Sequence, residues 1–368
     1  MGATNQNVLE PVSGTNAVKL FLKCIFLGLW QLVQFAVRRL WKGHRRKFSK
    51  NFPPVELTVD SSIGIHCYIK VMGVKYHYVE TGPKNGQVVL LLGDAPDAGN
   101  LWVPSWSSVV RRLAETGHHV VTLDLRGTGG SECGNRRDLS PPRAVEELSA
   151  LLKALGVSAN NPAIVIGFGI GGMLTWYLAH CRGALVRRFV VVGAPHPNLY
   201  WQHPPAPFCQ DALYFIQWPH FPERWLAERA LAEGGGAGGG LRARDWSGAL
   251  NYVRGGAWWR IAAGRRAEAP ALLVGARAAA AQLVASAQHC ARPALRLLAA
   301  PHPADPDLPA LLLDFLAVQK VEEVKGTGLG GRGLVGRVLG AVAGRSRDLT
   351  ARLALPALPA LPALSAQA

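Results

Sequence analysis

Six short, almost wholly apolar runs constrain this chain most: Val88–Leu92, Val120–Leu123, Ala163–Ile166, Phe189–Val192, Ala271–Val274 and Leu295–Leu298. Runs this short, with almost no polar alternation, read as strands covered on both faces. Between them Val103–Glu115, Arg143–Leu155, Gly172–His180 and Pro309–Gln319 carry helical patterning. Strands alternating with helices predict an α/β fold: a mostly parallel sheet with helices on both faces. A hairpin, His66–Val71 and Val74–Glu80, precedes the alternation. From Asn198 to about Glu268 the rhythm breaks, first into Pro-, Trp- and Tyr-rich sequence and then into the GGGAGGG run Gly234–Gly240. That interruption reads as an inserted helical lid. The expected plan is a membrane anchor with its basic flank over residues 1–50, core over 51–198, lid over 199–268 and core again over 269–320. A low-complexity tail, 321–368, has no core-forming pattern and is expected to be disordered.

The first of these segments decides how the charge is read. Ala17–Val37 is about as long as a hydrocarbon core of roughly 30 Å requires. Lys19 and Lys23 interrupt its first part, so two readings stay open: a tilted span or an amphipathic helix lying at the interface. The formal charge of +16 would by itself suggest nucleic acid or anionic lipid. Arg38, Arg39, Lys42, Arg45, Arg46, Lys47 and Lys50, however, follow the apolar run directly, and basic residues elsewhere do not interleave with aromatics. The expected partner is therefore the lipid bilayer, with no nucleic acid. For a span, the positive-inside rule would put the body in the cytosol; the endoplasmic reticulum is the expected membrane. The six cysteines form no CxxC pair and the histidines no metal-ligand spacing, so neither metal nor cofactor is expected. His118 and His119, at a strand entry, read as surface residues.

Several segments together resemble the α/β-hydrolase-fold epoxide hydrolases, most closely their epoxide hydrolase 4-like branch. They are KYHYVETG (75–82), VVLLLGDAPD (88–97), TLDLRGTGGSE (122–132), IVIGFGIGGMLTWYLAHC (164–181), GAPHPN (193–198) and YFIQWPHFPE (214–223). The resemblance implies an α/β-hydrolase fold and a known chemistry. An aspartate on a strand-to-helix elbow attacks the epoxide carbon while two lid tyrosines donate to the epoxide oxygen. A histidine–acid pair then activates the water that hydrolyses the ester.

Carried over by position, that machinery is incomplete. The elbow Gly167–Gly172 places Gly169 where the family has its nucleophile. The oxyanion region keeps Pro96 of its family motif but has Gly93 and Asp94, the latter a carboxylate where donors are needed; Ile170 follows the elbow. Tyr214 matches the first lid tyrosine, and Trp259 stands at the second, where an indole is far too weak an acid to deliver a proton. The stretch Gly275–Ala280 has no carboxylate where the orienting acid belongs. His302 aligns with the base, with Asp307 shortly downstream. The implied protein is catalytically degenerate, with a lid pocket suited to a lipophilic small molecule or epoxide and a binding or scaffold role. The alternative is an active hydrolase with a rearranged site, in which His302 helped by Asp94 activates water. Gly167-x-Gly169-x-x-Gly172 also spells a dinucleotide fingerprint, and Arg187 and Arg188 could meet a 2′-phosphate. No acid follows at the ribose-binding distance, and the motif lies late in the strand order.

Overall fold

The structure is a computed structural model that describes residues 8–41, 63–94, 103–202, 210–232, 246–299 and 301–322. A short strand β1 (Leu9–Pro11) leads into the long helix α1 (Gly14–Trp41). There follow β2 (Ile65–Val71), β3 (Val74–Thr81), β4 (Val88–Leu92), α2 (Val103–Glu115), β5 (His119–Leu123), α3 (Pro141–Ala154), β6 (Ala163–Phe168), α4 (Ile170–Cys181) and β7 (Val186–Val192). The chain then leaves the sheet for α5 (Gln210–Ile216), α6 (Phe221–Ala232), α7 (Ser247–Gly256) and the strand β8 (Trp259–Ile261). It re-enters with β9 (Ala271–Ala276), α8 (Ala280–Ala287), β10 (Pro293–Leu298) and α9 (Leu308–Glu322).

Eight strands form one sheet in the order β10-β9-β7-β6-β4-β5-β3-β2. The expected hairpin is its antiparallel edge, and β4 to β10 run parallel to one another within it. Period-2 alternation splits the apolar strands between two cores. Val89, Leu91, Ile164, Ile166, Val190 and Val192 face Trp106, Val109, Val110 and Leu113 of α2 and Leu308 and Leu312 of α9. Leu90, Leu92, Val165, Val191 and Leu273 face α3, α4 and the lid. That double covering is why the strands carry so little polar alternation.

Buried charge pins the loops at the carboxyl ends of these strands. Glu147 accepts from Tyr76 Oη at 2.5 Å, Arg126 at 2.9 Å and Arg143 at 2.9 Å. Asp124 accepts from the Gly130 N–H and lies 2.8 Å from His77 Nδ1, so it anchors its loop. His119 departs from expectation. It is buried, with Nε2 3.3 Å from Glu80, because the first residue of β5 points its side chain inward toward β3. The GGGAGGG run, Pro96, Asp97 and the tail beyond Glu322 lie outside the described residues.

Candidate functional site

The elbow forms where β6 gives way to α4. Gly169 has φ +54° and ψ −114°, a region that side chains strongly disfavour, and its backbone carries the chain from strand into helix within one residue. Its N–H donates to Val192 O on one side, and Gly171 N–H donates to Gly93 O on the other. The elbow is thereby clamped between the ends of β7 and β4.

The end of β4 brings Asp94 onto that turn. Ile170 N–H, at the first turn of α4, donates to Asp94 Oδ1 at 2.8 Å. A carboxylate is well placed there, facing the positive end of a helix dipole. Any Cβ at position 169 would overlap the Asp94 carboxylate carbon and both its oxygens. The carboxylate of Asp94 thus occupies the space in which an elbow side chain would begin, and it takes the N–H that an oxyanion would use. By sequence Asp94 is a charge of the wrong sign for this site; in the fold it and Gly169 fit each other.

Tyr200 belongs to the same site and no motif pointed to it. It is buried, and its hydroxyl has no hydrogen-bond partner among the described residues. Burial, and after it the charge of Asp94, holds the phenol well above its usual range, so it stays protonated. His302 reaches the elbow from the loop after β10, its ring set edge-on to Phe168 with centroids 5.3 Å apart. Its Nδ1 accepts the Ala304 N–H at 3.2 Å. Nδ1 therefore acts as an acceptor in this contact, whereas a base oriented by an acid would use that nitrogen as a donor. Residues 277–279 form a short 3₁₀ turn with no carboxylate, and Asp305 accepts the Asp307 N–H.

The two lid positions are built differently. Tyr214 is buried and stacks on Trp201 with centroids 4.9 Å apart. Trp259 lies in β8, opposite Pro11 of β1. Tyr214, Trp201 and Arg260 line a cavity of about 480 Å³ whose other wall comes from β1 and the first turns of α1.

The dinucleotide reading meets physical objections. Cβ atoms at Gly167 and Gly171 would strike backbone of the neighbouring turn and of β4, so these glycines let α4 lie against the sheet. Asp94 already faces the helix end where a pyrophosphate would sit. Arg188 is buried and donates to Phe315 O and Leu316 O, and Arg187 donates to Gln87, so both guanidinium groups are engaged within the fold.

The sheet order, the elbow and the lid inserted after β7 define an α/β-hydrolase-fold protein, and a family model described as alpha/beta hydrolase fold matches residues 88–234. Within that fold the chain is similar in sequence to epoxide hydrolases. It is 32% identical to epoxide hydrolase 4 of Homo sapiens over 51% of this chain and 53% of that protein. It is 31% identical to epoxide hydrolase 3 of Xenopus tropicalis over 53% of each. The match thus spans about half the length of these curated relatives. Epoxide hydrolase A from Mycobacterium thermoresistibile shares the fold, with a TM-score of 0.54 at 19% identity over 69% of this chain and 98% of that one.

Proposed function

We propose that this chain is a membrane-anchored epoxide-hydrolase-like protein that has lost hydrolytic turnover and keeps a lipophilic ligand-binding or scaffold role. The observation that carries this reading is the Asp94 carboxylate seated in the space of an elbow side chain, beside Gly169. With Gly169 at the elbow, Ile170 N–H engaged by Asp94 and His302 Nδ1 accepting a backbone N–H, three parts of the hydrolytic cycle are altered together. The anchor in this reading is α1, whose long apolar stretch covers Gly14–Val37. Membranes carrying the folded protein are expected to form no diol above empty membranes from a panel of aromatic and fatty-acid epoxides. They should still bind such lipophiles saturably.

One observation favours a second reading, an active hydrolase with a rearranged site. Asp94 holds one carboxylate oxygen on the elbow N–H, and its charge, after burial, is what keeps the nearby Tyr200 phenol protonated. Diol formation that is lost in both Asp94→Asn and His302→Ala would establish this reading and remove the first.

A further inference from the structure

Helix α1 has two unlike faces. Ala17, Leu20, Cys24, Leu27, Gly28 and Gln31, spaced at i, i+3, i+4 and i+7, are buried or half-buried. On the opposite side Phe21, Leu22, Phe26, Leu29, Trp30 and Val33 are all exposed. At 100° per residue the exposed apolar side chains sweep an arc of about 180°, far broader than a soluble helix leaves uncovered.

The buried face is docked on the lid at the middle of the helix. Trp218 Nε1 donates to Cys24 O at 2.8 Å, and the absent side chain of Gly28 is what lets the indole lie against the helix backbone. Trp218 in turn accepts from Arg254, which pairs with the buried Glu223. Were α1 to cross a bilayer, residues 24–28 would sit near its centre, about 15 Å from either surface. The lid's charged groups would follow them into hydrocarbon, where they are costly. The ends of the helix say the same. Just before α1, β1 pairs antiparallel with β8 of the lid, from Leu9↔Ile261 to Pro11↔Trp259. Beyond α1, the chain goes on to the sheet of the same body. The N-terminal end of α1 is thus paired with the same body that follows the helix in sequence, which a single crossing forbids.

We propose that α1 lies in the plane of the membrane surface rather than across it, and that the cleft between its first turns and the lid seats an anionic lipid headgroup. This rests on the membrane-anchored reading above and settles the form the anchor takes. The cleft is lined by Lys19, Lys23 and Arg260, with Glu10 as the opposing charge. Lys19 and Lys23 are exposed and stand one turn apart, about 70° and about 110° around the helix from the centre of the apolar arc, toward one of its edges. With that arc turned down into the acyl boundary, this edge lies at headgroup depth. The cations meet phosphate or carboxylate there, while Leu20, Trp201 and Tyr214 supply the apolar wall. The basic run after α1 adds attraction to the same surface without shape.

The test uses the full chain. Glu10 and Arg260 are direct partners in the β1–β8 register, so Glu10→Cys with Arg260→Cys is expected to form a disulfide under mild oxidation while the protein is membrane-bound. A carbonate-resistant protein in which this bridge never forms, with an amino-terminal tag on the opposite side from the body, would overturn the in-plane assignment and leave the anchored reading standing. Failure to associate with any membrane would overturn both. In vesicle flotation, phosphatidylcholine vesicles containing phosphatidylserine should bind better than phosphatidylcholine alone. Lys19→Glu with Lys23→Glu should lower that preference about tenfold while binding to the neutral vesicles holds. An unchanged preference would overturn the headgroup site. So would displacement by millimolar inorganic phosphate, which would make the cleft a site for the soluble anion. Self-association through the apolar arc, seen as vesicle-independent oligomers of the full chain, would overturn the membrane as its occupant.

Discussion

At position 169 a side chain and the Asp94 carboxylate compete for one volume. Restoring a carboxylate at the elbow alone, Gly169→Asp, is expected to destabilise the protein by roughly 2–4 kcal/mol, from overlap with Asp94 and from a positive φ. Pairing it with Asp94→Gly should recover a large part of that loss. The coupling between the two sites, read from denaturant midpoints of the single and double variants, is expected to be on the order of 1–3 kcal/mol. Additive losses would mean that Asp94 does not fill the elbow. Farther from the elbow, Glu147 is 1% exposed and serves Tyr76, Arg126 and Arg143 at once. Glu147→Gln leaves a buried guanidinium short of its counter-charge, and a loss of roughly 3 kcal/mol is expected in the same measurement.

At the scale of elements, a histidine cluster ties α4 to the loops that follow β7 and α8. His196 is fully buried and stacks flat on His289 with centroids 3.7 Å apart. Its Nδ1 accepts the Asn198 N–H, so its proton sits on Nε2, 3.2 Å from His180 Nε2. Burial, reinforced by the neighbouring rings, pushes His180 down to about 4 and lowers His196 further; burial and Arg266 lower His289. In the unfolded chain all three return to about 6.5. Below that pH the unfolded state takes up protons that the folded cluster refuses. Stability is therefore full above about pH 6.5 and falls as the pH drops toward 4, by up to about 1.4 kcal/mol per pH unit for each histidine. Thermal unfolding between pH 7 and 5 should show this decline, and His180→Gln should flatten it. The GAPHPN segment was read for its resemblance alone; the role of its histidine depends on α4 and the loop before β10, which periodicity in one segment does not reveal.

For the whole molecule, a lipophilic epoxide held by the folded protein and not by the unfolded chain would stabilise it by about 2.7 kcal/mol at one hundred times its Kd. A rise of several degrees in melting temperature is the expected readout, and no shift with any lipophile would leave only the scaffold form of the proposed role.

The fold was legible in the sequence because burial on both faces of a parallel sheet writes itself into local composition. VVLLL and FVVV at Val88–Leu92 and Phe189–Val192 need no knowledge of their neighbours to read as covered strands. The elbow position was equally legible, since a strand-to-turn-to-helix passage rich in glycine is a local event. His119 was misread because its burial depends on Glu80, thirty-nine residues away across the sheet. Tyr200 and the fit of Asp94 against Gly169 were silent for the same reason: each is a relation between distant segments that only packing brings within a few ångströms. Between a span and a surface helix, the length and apolarity of α1 could not choose, for both satisfy the same local pattern. That choice rests on the β1–β8 pairing and on Trp218 against Cys24, contacts of high sequence separation that exist only once the chain has folded.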